Sequence, residues 1–582
     1  MTAAAVVKIV LTHRAAARAK YGRNGWSAIR HAVTALIAAD KVSGLQTRFL
    51  ALDSAADARR VGATRVEEVS DSEATKAFVD AVFTRYDPAY LVLLGGPELV
   101  ATVPLSNPLW DGSAEGDPDP VIASDLPYAC SVPFSTSPSA YAGATRVVSR
   151  IPDLVGVPDR QVLVGQLQVA AQAVPAAVPT KVFALSARTW RSSTTTSIST
   201  LPVPTGTVRT SPSEGPAWSA TDLAPLVHFV NCHGGEFDPH WYGEARPGAQ
   251  SLPIAIDGST LTPKIARGTV VAAECCYGTA HWAPAVAGDA SSVAMTYLTN
   301  GAVGFFGAAT TAYGPSSGNA YADVIAGYFA AAVLGGASLG RAGLIARQRY
   351  VQAEAYLDPT SLTTLAQFTL FGDPSLQPFR AAAVSGPSAP TPSAPDVALK
   401  SGGVAQRRAQ LMAIGNALQA STAVSADVST RAARLSAGDL ASLSAVPAVE
   451  QSRVRTFAAN GPASANLRSH VAFVTGTQGR TLVVVRESPS GREVRVVHAK
   501  TEPVTLTGTV SLRRIAIGSK SERDSVVLAT GERHWELRRG GAGAFDPPDR
   551  VLLALAGRTV TLTGYAGSGV FVVTDLPTSP PP

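Results

Sequence analysis

Cysteine is scarce in this chain: four residues in 582 (Cys130, Cys232, Cys275 and Cys276), with two of the four side by side. So few thiols do not build a disulfide framework, and adjacent cysteines bridge each other only with strain, so a reducing, cytoplasmic setting is expected. Long apolar runs are missing as well. The greasiest segments meet a charge or a proline well before the ~18 residues of a membrane span, so no membrane partner is expected. The opening MTAAAVVKIVLTHR has no basic stretch ahead of its apolar run and reads as a first strand, not a signal peptide. A dense Lys/Arg stripe is also lacking. The 49 basic and 43 acidic residues leave a net charge of +6 spread along the chain, which argues against nucleic acid as the main partner.

What is present is globular in character, 46% apolar and 16% charged. The length suits roughly three domains of about 100–200 residues each. Residues 1–175 alternate strand-like runs (VVKIVLT, 6–12; QTRFLALD, 46–53; AYLVLLGGP, 89–97; ATRVVSRIPD, 144–153) with helix-like stretches at 25–40 and 72–86. Strands alternating with helices imply a parallel sheet covered on both faces. Residues 176–385 repeat the rhythm with TKVFALSA (180–187), LVHFVNCHGG (226–235), GTVVAAECC (268–276) and GAVGFFGAA (301–309), and with helices at 322–334 and 339–357. The stretch SGPSAPTPSAPD (385–396) is too poor in apolar residues to fold and marks a Pro/Ser linker at 386–400. Residues 401–582 read as a helical segment over 400–445 and a small β-rich domain, with hairpins at 481–498 and 558–577.

In an α/β sheet, ligands sit beyond the carboxyl ends of strands. Two strands here end in chemistry: one in Asn231-Cys232-His233-Gly234-Gly235, the other in Glu274-Cys275-Cys276-Tyr277-Gly278. On adjacent strands, His233 comes close to the thiols. An imidazole can take a thiol proton as attack begins and return it to a leaving amine. Gly234 has no Cβ, so a carbonyl oxygen can approach its N–H, which with the nucleophile's own N–H would make an oxyanion hole.

The order of these strand ends, His-Gly and then acidic-small-Cys, resembles the signature of caspase-like (clan CD) cysteine peptidases, whose His lies about 50 residues upstream of the Cys. LVLLGGPELVATVPL, ASDLPYA, SRIPD and FTLFGDPSLQP (368–378) resemble the gingipain branch, over roughly residues 1–380. The resemblance implies a caspase/gingipain-like pair of α/β sheet subdomains and an endopeptidase that cleaves protein or peptide substrates through a Cys-His dyad and an acyl-enzyme. Cys276 matches the nucleophile, with Cys275 in a slot for a small side chain. The Cys-x-x-Gly spacing of gingipains proper would instead select Cys275. Strand alternation points the two thiols opposite ways, so only one can face His233. Gly372-Asp373-Pro374 is expected to be a turn that closes the domain, without a chemical role.

The resemblance also implies substrate contacts. A charged side chain after the first strand of the catalytic unit commonly selects the residue before the scissile bond, and here that is Arg188, which would favour Asp or Glu. Glu236 and Trp282 are further substrate-binding candidates, with Asp238 and Asp257 as alternative pocket acids. His240, His281 and Trp241 are expected near the cleft. Gingipains bind calcium, and the acidic loop WDGSAEGDPDP (110–120) offers oxygen ligands, but an ordinary solvated loop is the expectation there. No other cofactor is expected. Zinc is disfavoured because the cysteines lack Cys-x₂₋₄-Cys spacing. An inactive scaffold that binds partners through the same fold is the remaining alternative.

Overall fold

The computed structural model describes residues 6–380, except 113–115, 205, 245–251, 317 and 355–356. It also describes residues 455–575, with breaks at 460–467, 477–478, 489–490, 497–502, 518, 520–521, 532, 540–543, 546 and 567–568. The expected linker at 386–400 and helical stretch at 400–445 lie outside the described residues.

The strands of the α/β part are β1 (Val6–Thr12), β2 (Leu45–Ala51), β3 (Tyr90–Leu94), the hairpin pair β4 (Val103–Ser106) and β5 (Val121–Ser124), β6 (Val148–Ile151), β7 (Phe183–Ala187), β8 (Arg209–Ser211), β9 (Val227–Asn231), the short pair β10 (His240–Tyr242) and β11 (Ile254–Asp257), β12 (Val270–Ala273), β13 (Gly304–Ala308) and β14 (Phe368–Gly372). Ten of them join in one sheet, in the order β2-β1-β3-β6-β14-β13-β12-β9-β7-β8. The central strands are buried on both faces, as strands covered by helices on both sides must be. Helices Ser72–Tyr86 and Ala322–Leu334 fall where the apolar spacing places them, the first capped by the Asp71 side chain on the Ala74 N–H. Helix Arg14–Val42 begins well before residue 25, because His13 caps its first turn and Gly22, at φ 68°, carries the chain through a kink.

The two α/β portions meet edge to edge. β14 is antiparallel to β13 and parallel to β6. Every other neighbour pair within the sheet is parallel. The sheet is therefore two parallel blocks running in opposite directions, with their carboxyl ends on opposite edges. The β4–β5 hairpin spans this difference. It leaves the carboxyl end of β3, yet Asn107 accepts from Thr363 at 2.9 Å and Ser124 donates to the Ala366 carbonyl at 2.5 Å, beside the carboxyl end of β13.

Buried polar links close the join. Lys8 Nζ lies 2.5 Å from Asp373 and 2.8 Å from Asp40, all three buried. Gly372-Asp373-Pro374 is thus more than a closing turn: Asp373 completes an ion pair that ties β14 to β1. Ser149 Oγ donates to the Gly372 carbonyl at 2.7 Å.

Toward the C-terminus, β15 (Arg455–Ala459), β16 (Arg468–Gly476), β17 (Gly479–Ser488) and β18 (Gly491–Val496) form an antiparallel sheet. β19 (Val504–Ile515), β20 (Arg523–Thr530), β21 (Arg533–Arg539), β22 (Thr559–Ala566) and β23 (Val570–Asp575) close a small barrel around Val510, Leu528, Trp535, Leu562 and Phe571. No helix among the described residues is long and apolar enough to cross a membrane.

Candidate active site at the carboxyl edge of the second block

β9 and β12 are neighbours, in register Ala273 to Val230, and the Glu274 N–H continues the ladder to the Val230 carbonyl at 2.9 Å. Both reactive strand ends therefore leave the sheet side by side. A Cβ on Gly234 would lie 2.1 Å from the backbone carbonyl oxygen of Cys276. Glycine is required there because the two strand ends close on each other, a reason separate from the oxyanion approach expected from the sequence.

The three thiols of this region divide between the faces of the sheet. Cys232 and Cys275 belong to one core cluster, with Val230, Ala273 and Tyr297. The Cys275 sulfur accepts from the Cys232 N–H at 3.4 Å and lies 3.8 Å from the Val230 carbonyl. Cys276 belongs to the other cluster, with Phe229, Ala272 and Ala312. Its sulfur accepts from the Ala312 N–H at 3.1 Å. Val227 and Phe229 of β9 lie on this second face with Cys276, and alternation continued two residues past the end of β9 would bring His233 to the side that Cys276, not Cys275, occupies.

His233 is buried and boxed in. Its Nε2 lies 2.7 Å from Glu244 Oε2, and its ring packs against Trp190 at 4.4 Å. Its backbone pairs with Tyr242 in both directions, at 3.0 and 2.9 Å, which fixes the strand end onto the β10–β11 pair. Trp190 stands in the 3₁₀ turn that ends β7. Arg188 opens the same turn and is exposed.

Glu236 and Trp282 face the C-terminal barrel. The Glu236 carbonyl accepts from Arg538 at 2.8 Å, and Trp282 packs with Phe237, Val570 and Val572. Trp241, expected near the cleft, is core, packed on Phe305. Asp238 accepts from the Tyr242 hydroxyl at 2.9 Å and from the His240 N–H at 2.9 Å. His281 packs on Phe371, and Asp257 caps the Ser259 N–H.

The 110–120 loop is not simply solvated. Asp117 and Asp119 are buried, delivered to this edge by the β4–β5 hairpin. Asp119 Oδ2 accepts from the Thr311 N–H and hydroxyl, both at 2.9 Å, and from the Tyr277 hydroxyl at 3.0 Å. Asp117 accepts from Tyr313 at 2.9 Å. Burial first, then the neighbouring Asp119 charge, pushes the Asp117 carboxyl up to about 8. Burial and the Glu236 charge push Asp119 up to about 6, against the donors from Thr311 and Tyr277. Asp119 thereby pins Tyr277, the residue after Cys276, whose φ of 55° is left-handed and costs a non-glycine residue backbone strain. The sequence carried the Asp-Pro-Asp pattern, but not the hairpin that brings it to the opposite edge of the sheet.

Protein donors thus take up Asp117 and the Oδ2 of Asp119, while Asp119 Oδ1 is buried without a hydrogen-bond partner. Among the described residues no group of three or more His, Cys, Asp or Glu is placed to hold a metal ion.

Residues 255–379, from β11 through the turn after β14, match peptidase family C25. The match takes in Cys275 and Cys276, and His233 lies outside it. No curated protein matches the chain. A solved structure described as "Structure of Protease" superposes with a TM-score of 0.39 at 13% identity, covering 84% of this chain and 96% of that one, a likeness too slight for any residue correspondence. The C25 match supports a cysteine peptidase acting on proteins or peptides. Over the strands that carry its paired cysteines, the chain is similar to the gingipain family of clan CD, as the motifs of its sequence led us to expect.

Proposed function

We propose that the chain is a cysteine endopeptidase in which Cys276 is the nucleophile and His233 the general base and acid. What supports this reading is the β9–β12 junction, where Gly234 meets the Cys276 backbone, and where strand alternation continued past β9 would turn His233 to the side of Cys276. In the proposed mechanism His233 takes the thiol proton as the sulfur attacks the scissile carbonyl carbon. The oxyanion that forms is stabilised by the backbone N–H groups of Gly234 and Cys276. His233 then protonates the departing amine, the C–N bond breaks, and a thioester remains. Water, deprotonated by His233, adds to the thioester and releases the carboxylate product and the thiol. Glu244, against Nε2, holds the ring and offsets the imidazolium charge, as a carboxylate beside a catalytic histidine does.

Cleavage of a mixed-sequence peptide library tests this. Cys276→Ala and His233→Ala in the full chain are each expected to lower kcat by roughly 10³-fold or more, the scale for removing a nucleophile or its base. Cys275→Ala, a change in the opposite core, is expected to retain most of the activity. An active Cys276→Ala beside a dead Cys275→Ala transfers the nucleophile to Cys275. Unchanged cleavage in all three variants ends the cysteine-peptidase reading.

A further inference from the structure

The C-terminal barrel sits on the candidate site. After β21 the chain makes a turn at Ala544 and Phe545, both buried. The Phe545 ring lies 5.1 Å from the His233 ring and 5.0 Å from the Tyr242 ring. The Phe545 carbonyl accepts from the Leu252 N–H at 3.3 Å, and the Ala544 N–H donates to the Asp238 carboxylate. A Cβ on Gly235 would come within 2.3 Å of the Ala544 methyl carbon, so the turn rests directly on the strand end that carries His233.

The rest of the barrel anchors this turn. Arg538 donates to the Glu236 carbonyl, and the Gly569 N–H points to the Glu236 carboxylate at 3.5 Å. Val570 and Val572 bury against Phe237, Trp282, Val286 and Ala287. Inside the barrel, burial alone would raise the Glu536 carboxyl, but Arg523 and Arg538 outweigh it and hold the group down to about 2. Glu536 thereby fixes both guanidiniums, one reaching Glu236 and the other lying 5.0 Å over the Phe545 ring.

The consequence is steric. His233 is 5% exposed and Cys276 1%. A substrate strand needs about 4.8 Å of clearance for its backbone alone, and the Phe545 ring fills that space over His233. We propose that the barrel is an autoinhibitory cap: its Ala544–Phe545 turn occupies the substrate cleft, and the barrel must leave Gly235–Asp238 before a peptide can bind. This rests on the peptidase reading of the site. Observed kcat/KM then scales with the fraction of molecules whose cap is open.

Two full-chain variants loosen the cap without touching the catalytic residues. Phe545→Ala removes the ring from the cleft, and Ala544→Arg places a long side chain where Gly235 leaves no room. Each is expected to raise kcat/KM roughly tenfold or more, the effect of losing a buried interface anchor. Hydrogen exchange at the Leu252 amide, whose acceptor is the Phe545 carbonyl, is expected to speed up in parallel and reports undocking independently of catalysis. If the wild type already cleaves as fast as both variants, the cap is overturned and the peptidase reading stands. If no form cleaves, alkylation of Cys276 by iodoacetamide decides. Faster alkylation in both variants keeps the cap and ends the peptidase reading, and unchanged alkylation overturns the cap.

Discussion

The two blocks of the ten-stranded sheet share one architecture and use their polar residues in opposite ways. In the first block the buried charges neutralise one another. Lys8 sits between Asp40 and Asp373, and Arg150 is bound to Asp125 while also donating to the carbonyls of Gly95 and Val100. In the second block the polar groups at the carboxyl edge are an imidazole, thiols and carboxylates held by hydroxyls and amides. The first set fixes geometry by holding each buried cation against carboxylates. The second set consists of groups that can move protons. Because the blocks run antiparallel, only the second presents its strand ends to the site, and the first contributes through a single hairpin. The shared fold alone does not mark where the chemistry is; the strand ends do.

The largest effect that would break this comparison comes from the first block. Lys8→Met leaves the Asp40 and Asp373 carboxylates buried without their common cation. Breaking a buried pair in this way costs about 3–5 kcal/mol. A fall in melting temperature of roughly 10 °C is expected, while kcat per folded molecule stays at the wild-type value. Loss of activity without loss of stability would mean that the first block's charges serve chemistry after all, and the contrast would fail.

Much of this was legible in the sequence. The β-branched runs at 6–12, 89–97 and 226–235 are strands because a sheet buried on both faces leaves no alternation for a polar face to show. The pairing of His233 with the cysteine strand was readable because it depends on two short motifs and one parallel register. The antiparallel join at β13–β14 was not, since the direction of a strand leaves no mark on its composition. For that reason Asp117 and Asp119 looked like loop acids: their burial depends on a hairpin crossing to the other edge. Phe545 was hidden for the same kind of reason, lying some 300 residues from His233, where no local pattern links them.

A smaller effect sharpens the comparison from the other side. If carboxylates in the second block serve chemistry, Glu244→Gln should slow turnover without unfolding the protein. The amide keeps a hydrogen bond to His233 but loses the charge that offsets the imidazolium. Glu244 is about one-third exposed, so the cost in stability is small. A fall in kcat of roughly tenfold with KM unchanged is expected, the signature of an interaction made more strongly in the transition state. A change confined to KM would instead place Glu244 on the substrate.

The smallest effect concerns the acids that the hairpin delivers. Asp117 faces Asp119, Tyr313 and Asn107, and its carboxyl is pushed up to about 8 by burial and by the Asp119 charge. The sign follows from proton counting. Between the ordinary aspartate range and about 8 the folded chain holds a proton that the unfolded chain has lost, so stability falls as pH rises through that window. His228, buried and lowered to about 4, works the other way, since the unfolded chain binds its proton first as pH drops. That opposing slope is confined below about 6.5, the ordinary histidine value. Between about pH 6.5 and 8 the Asp117 contribution therefore stands clear of it, at no more than about 1.4 kcal/mol per pH unit for a single proton. Asp117→Asn keeps an acceptor for Tyr313 and has no proton to lose. Its melting temperature is expected to fall less than the wild type's across that range. Parallel curves for the two proteins would mean that Asp117 is already ionised in the folded chain. The hairpin would then carry a true charge to the edge where His233 and Cys276 lie, as the first block does with its ion pairs.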